Sequence, residues 1–214
     1  MRLFLLASIA CFAQTQITLA GDSTVAEGGG WGPGFRAALQ GKAEVRNLAR
    51  NGRSSKSFRD EGAWKPAIDG KANYILIQFG HNDCPGKGPE RETDPATTYR
   101  RNLIQYITEV RAAGAVPVLV TSIVRRNFTP DGKIKADCLV PYVEQTRILA
   151  KETNTALIDM YSLTKELSEK IGSEASDSLG ARTPGGKPDR THLSAKGQQE
   201  IGAIAAKAFS RLAR

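Results

Sequence analysis

The chain has 214 residues, 40% apolar and 24% charged, with a formal net charge of +8. That length gives one α/β domain a full core and is too short for two large ones. The composition is that of a soluble globular chain. No apolar run reaches the roughly 20 residues a membrane-spanning helix needs, so stable membrane insertion is not expected.

The N-terminal stretch MRLFLLASIACFA differs from the rest. It has one cation at Arg2, an apolar centre from Leu3 to Ala10 and small residues after it. This is a signal-peptide pattern, with cleavage after Ala13 leaving a domain over 14–214 that is secreted or periplasmic. Cys11 raises lipoprotein anchoring as a lesser alternative, although Ser8 stands where an apolar residue is expected. Export leaves Cys84 and Cys138 as a pair in an oxidising compartment. Both follow predicted strands, and a bridge or two free thiols are equally open.

Five segments have strand character: 16–20, 44–48, 74–79, 116–122 and 156–159. Several are unbroken apolar runs, as parallel strands covered on both faces require. Helical patterns lie around 34–41, 54–62, 96–113 and 140–152, then 161–171 and 195–213, the last with Ser194 as N-cap. The alternation predicts a doubly wound parallel sheet whose functional crevice lies beyond the strands' carboxyl ends. The stretches 127–137 and 172–190 are the only long irregular ones and belong on that side.

Four short stretches fall where a crevice is expected. They are Gly21-Asp22-Ser23-Thr24 after the first strand, 47–57 after the second, Gly80-His81-Asn82-Asp83 after the third, and Asp189-Arg190-Thr191-His192 before the last helix. The chain has two histidines, His81 and His192. A serine nucleophile needs a base, and Asp189, three residues before His192, is placed to orient its imidazole. Ser23 is then the candidate nucleophile, with Asp189 and His192 completing the catalytic set. The backbone N–H groups of Ser23 and Gly52 and the side-chain amide of Asn82 are candidate oxyanion donors. Each stretch alone also reads as a turn or cap; together they point to acyl transfer.

In these blocks the chain resembles the SGNH, or GDSL, hydrolases. AGDSTVAE, RNGRSSKSFRDEG, FGHNDC and DRTHLSAKG look like the rhamnogalacturonan acetylesterase branch of that superfamily. The likeness runs from about residue 16 to the C-terminus. It implies a three-layer α/β/α flavodoxin-like fold with a five-stranded parallel sheet, and no metal or organic cofactor. It also implies a serine esterase that removes O-acetyl groups from polysaccharide, most often pectic rhamnogalacturonan.

A basic surface suits an acidic polymer, and Arg53 and Arg190 flank motif residues where they could meet an acidic sugar. Against that stands a solvated or ion-paired role for both. Trp31 is either a stacking platform for a sugar or part of a helix entry with Pro33 in its first turn. His81 suits packing or orientation of the oxyanion loop better than catalysis. The cations are scattered without stacking aromatics, so nucleic acid is not an expected partner.

Three rivals differ in what they require. A dinuclear metal phosphoesterase needs more histidines than two. A lipid, thioester or small-ester hydrolase uses the same triad but asks for an apolar slot. An inactive exported carbohydrate-binding protein on the same scaffold needs no intact triad.

Overall fold

A computed structural model describes residues 14–213. The proposed leader, 1–13, lies outside the described residues. Five strands form one parallel sheet: β1 (Thr15–Gly21), β2 (Ala43–Asn47), β3 (Tyr74–Gln78), β4 (Val116–Val120) and β5 (Ala156–Ile158). Their order is β2-β1-β3-β4-β5.

The pleat sends alternate side chains to opposite faces, and both faces are apolar. Ile17, Leu19, Leu76, Val118 and Val120 point to one core. Ala20, Ile75, Ile77 and Leu119 point to the other. Helix α1 (Gly32–Ala38), α6 (Met160–Asp177) and α7 (Ala195–Leu212) cover the first face through Phe35, Met160, Ile201 and Phe209. The second is covered by α2 (Ser57–Asp60), α3 (Lys65–Asp69), α4 (Arg100–Ala112) and α5 (Val140–Glu152), through Phe58, Ala67, Tyr106 and Val143. The expected three-layer α/β/α, flavodoxin-like architecture is thus present.

The strand order reverses between β1 and β3, where Gly21 pairs with Gln78. Residues just past these two strands therefore lie side by side at the topological switch point. The segment after β2 joins them, because Leu48 and Arg50 donate backbone N–H bonds to the carbonyls of Leu19 and Gly21.

Helices α1 and α7 cross almost backbone to backbone. A Cβ on Gly34 would fall 1.9 Å from the Gln198 carbonyl oxygen, and one on Gly202 would fall 2.3 Å from the Phe35 nitrogen. Real side chains cannot meet at those distances, so glycine is needed on both helices. The crossing joins the helix that follows Ser23 to the helix that follows His192.

Some expectations need correction. Helix α3 was not foreseen, and the segment 54–62 is helical only over Ser57–Asp60. A π-helical turn, Pro95–Tyr99, precedes α4. Most importantly, 172–190 is not irregular throughout. It holds the end of α6, bent at Gly172, and β6 (Gly180–Arg182), and runs into β7 (Pro188–Leu193), which pairs with β6 as a two-stranded antiparallel hairpin. A three-residue strand, Gly-Ala-Arg, and a six-residue one that opens Pro-Asp-Arg carry too little β signal to stand out in sequence. Cys84 and Cys138 are disulfide-bonded with Cα atoms 5.9 Å apart, tying the segment after β3 to the entry of α5.

Candidate active site

Ser23 stands two residues past β1 on a loop held from beneath. The fully buried Asp22 accepts bonds from the Thr24 N–H (2.8 Å) and hydroxyl (2.7 Å). The Thr24 hydroxyl accepts in turn from the Gln78 amide (2.6 Å), and Gln78 accepts from the Trp31 indole N–H (2.8 Å). This chain of bonds fixes the loop while leaving the Ser23 side chain half-buried. Burial alone would raise the Asp22 carboxyl, but His81 and the two Thr24 donors outweigh it and hold it below its ordinary value. His81 Nδ1 lies 3.7 Å from Asp22, too long for a hydrogen bond.

Trp31 is 1% exposed and spends its N–H on Gln78, so it has no ring face for a sugar. The stacking expectation is corrected: Trp31 is core, and Pro33 does stand in the first turn of α1. Arg53 pairs with Glu61 and Arg190 with Asp177, in keeping with the ion-paired reading of both.

The other two blocks are stapled together. Asn82 donates one amide N–H to the Arg53 carbonyl (3.1 Å), which leaves its second N–H for a ligand. The next residue, Asp83, is fully buried and accepts from the Ser55 N–H (3.1 Å), the Ser55 hydroxyl (2.5 Å) and the Thr93 hydroxyl (2.9 Å). Burial pushes its carboxyl up to about 7, against the pull of those donors. Gly52 has φ +76° in the turn closed by the Arg53 N–H on the Arg50 carbonyl, a conformation that favours glycine. Among the described residues, the N–H groups of Ser23 and Gly52 have no protein acceptor.

His192 completes the arrangement. Its Nδ1 lies 2.8 Å from Asp189 Oδ2, and its Nε2 lies 2.9 Å from Ser23 Oγ. A carboxylate only accepts, so the ring proton sits on Nδ1 and Nε2 is free to take the serine proton. Asp189 Oδ1 also accepts from the backbone N–H groups of Thr191 (2.8 Å) and His192 (3.0 Å). Burial would raise this carboxyl, yet these bonds together hold it below its ordinary value.

The two residues were expected in a turn before the last helix. They lie instead in a bulge of β7: between the pairs Gly180–Leu193 and Arg182–Pro188, β6 has one residue and β7 has four, 189–192. Bulges re-aim side chains, and this one turns Asp189 and His192 together toward Ser23.

Sequence reasoning missed three residues here. Asp83 had a signal, since it adjoins Asn82 in the same block. Arg126, whose Nη2 donates to the carbonyls of Asp189 (2.8 Å) and His192 (2.7 Å), had none. Nor had Arg91, whose Nη1 lies 3.7 Å from where a Cβ on Gly52 would stand, with no side-chain hydrogen bond or ion pair among the described residues. The His192 side chain is 39% exposed, so the dyad opens to solvent and is not at the foot of a slot. A surface cavity of about 590 Å³, lined by Pro33, Arg36 and Gln40 among others, holds none of these residues. Among the described residues, no helix is long and apolar enough to cross a membrane, and no group of three or more His, Cys, Asp or Glu is placed to hold a metal ion.

Residues 19–200 match the pattern of the GDSL-like Lipase/Acylhydrolase family. The chain is similar to the rhamnogalacturonan acetylesterase RhgT of Bacillus subtilis, 36% identical over 92% of this chain and 90% of that protein. It is 34% identical to YesY of the same organism, described as a probable rhamnogalacturonan acetylesterase, over 92% and 93%. Among solved structures, the Bacillus subtilis protein YxiM superposes with a TM-score of 0.79 at 25% identity, over 94% of this chain and 57% of that one. A catalytic mutant of the Geobacillus stearothermophilus acetylxylan esterase Axe2 gives 0.69 at 18% identity, over 93% and 94%, and speaks for the fold alone.

Proposed function

The chain belongs to the GDSL-like lipase/acylhydrolase family and is a carboxylic ester hydrolase of the acetylesterase kind; from that premise we propose that it is an exported serine esterase deacetylating pectic rhamnogalacturonan. The observation that carries the mechanism is the unbroken relay Asp189–His192–Ser23, with contacts of 2.8 and 2.9 Å.

In the first half-reaction Ser23 Oγ attacks the acetyl carbonyl and its proton passes to His192 Nε2. Asp189 stabilises the imidazolium. The oxyanion takes its hydrogen bonds from the N–H groups of Ser23 and Gly52 and from the Asn82 amide. Collapse expels the sugar oxygen, which leaves with the proton from His192, and the acetyl group stays on Ser23. Water then attacks the acetyl-enzyme, giving its proton to His192, and Ser23 recovers that proton as acetate departs.

Three features support an acidic polymer as substrate. Two relatives, each matched over 92% of the chain, are described as a rhamnogalacturonan acetylesterase and a probable one. The dyad is open, as a chain substrate requires, where a long acyl tail would need an apolar slot. Arg91, beside Gly52, is a cation without an acidic partner among the described residues. Export is supported by the leader pattern and by the Cys84–Cys138 bond, which suits an oxidising compartment.

The test is acetate release from acetylated rhamnogalacturonan, acetylated xylan and short-chain lipid esters at matched acetyl concentration. The highest kcat/KM is expected on rhamnogalacturonan. Faster turnover of xylan or of the lipid esters would overturn the substrate while leaving the esterase in place.

A further inference from the structure

The bulge that carries Asp189 and His192 has an unusual problem. Its four residues face a single residue of β6, so the ladder cannot supply all their backbone partners. Asp189 satisfies two of the N–H groups itself, through Oδ1. On the flank, the Leu193 N–H donates to the Gly29 carbonyl of the nucleophile loop (2.8 Å). The carbonyls of Asp189 and His192 both turn to one atom, Nη2 of Arg126, at 2.8 and 2.7 Å.

Arg126 lies on the segment after β4 and is 3% exposed. It has no carboxylate within ion-pair distance among the described residues. Its backbone N–H donates to the Arg190 carbonyl in the same bulge (2.8 Å). A buried guanidinium without a carboxylate is costly, and burial pulls this one down to about 10, leaving it charged at neutral pH. The fold makes room for it at Gly180. A Cβ there would stand 2.8 Å from Arg126 Nη2 and 2.4 Å from the Asp189 carbonyl oxygen. A buried cation, two carbonyls converging on it and a residue without a side chain opposite it form one built site.

We propose that Arg126 is a positioning residue for the Ser23–His192 pair, holding the bulge so that His192 Nε2 meets Ser23 Oγ. This rests on the reading of Ser23 and His192 as the reacting pair. The Asp189–His192 contact is internal to the bulge, so it moves with it. Loss of Arg126 therefore shifts the aspartate and histidine as a unit relative to Ser23, without parting them. The cost falls on proton transfer and attack, not on substrate capture.

Arg126→Met and Arg126→Lys, made in the full chain, test this against a merely structural role. With an aryl acetate, Arg126→Met is expected to lower kcat about 10–100-fold, the cost of roughly 1 Å of misplacement, with KM nearly unchanged. Phosphonylation of Ser23 by a fluorophosphonate slows in step. The far-downfield proton resonance of His192 Nδ1–H bonded to Asp189 persists, which general loosening of the fold would abolish. Arg126→Lys, which keeps the charge but loses the planar fork, falls between. Wild-type kcat in folded Arg126→Met overturns the proposal, as does wild-type kcat in Arg126→Lys if the methionine variant does not fold. His192→Ala run alongside separates the two levels. If it is inactive while Arg126→Met is fully active, only the role of Arg126 falls; if it is fully active, the underlying pair falls.

Discussion

Ser23 Oγ and His192 Nε2 are 2.9 Å apart in space and 169 residues apart in sequence. The Gly34–Gly202 crossing of α1 and α7 and the Leu193–Gly29 bond bring these two distant segments of the chain to one point. Ser23→Ala and His192→Ala are each expected to lower kcat on aryl acetate by at least about 10³-fold. Asp189→Asn is expected to cost about 10²–10⁴-fold, because its NH₂ would face Nδ1 and force the ring proton onto Nε2. Melting temperatures close to wild type would assign these losses to chemistry. Wild-type kcat in His192→Ala would remove the base.

Asp83 makes stability depend on pH. Its folded value of about 7 lies above the ordinary 3.8, so the folded state keeps a proton that the unfolded chain has released. Its contribution is therefore fully present below the unfolded value, declines as pH rises between the two values, and is lost above about 7. Asp83→Asn cannot ionise and keeps one oxygen for Ser55. Its melting temperature relative to wild type is expected to improve between pH 5 and pH 8. A difference that stays flat across that range would show that Asp83 does not titrate there.

The Cys84–Cys138 bond closes a loop with a sequence separation of 54. Loop-closure entropy for that length corresponds to about 4 kcal/mol at 25 °C, before any native-state strain. Reduction by dithiothreitol, or Cys84→Ser with Cys138→Ser, is expected to lower the melting temperature by several degrees. Because the bond ties the Asn82–Asp83 segment to α5, activity at 25 °C should fall less than stability. Unchanged melting on full reduction, checked by thiol counting, would count against the bridge.

Arg91 is the candidate contact for a negative charge near the scissile ester. Arg91→Gln is expected to raise KM for acetylated rhamnogalacturonan about 3–10-fold, as loss of one partly exposed charge-assisted contact would. On a neutral aryl acetate, kcat/KM should stay within twofold. Added salt should weaken the wild type toward the variant on the polymer. Equal losses on both substrates would place Arg91 in support of the Gly52 turn instead.

All five sheet strands were legible in the sequence, several of them as apolar runs covered on both faces, a pattern written in consecutive residues; β2, at the sheet edge, buries only Val45. The candidate site was legible for a related reason: Ser23, Asn82, Asp189 and His192 lie in compact blocks just past strands or before a capped helix. Trp31 was not legible, since a tryptophan after three glycines looks the same whether its ring meets solvent or Gln78. Arg126 was invisible, one arginine among many until Gly180 and two carbonyls were found around it.

By itself, then, the sequence determined the layered α/β architecture, the edge of the sheet at which the candidate site lies and the residue types present there. Those follow from periodicity and local turn chemistry, which reach only a few residues along the chain. The tertiary structure alone decided that β7 bulges by three extra residues, that Arg126 fills the space left by Gly180, and that one tryptophan is core. Each is a contact between segments far apart in the chain, set by packing and by the need of buried backbone groups for partners. No local pattern encodes such a contact.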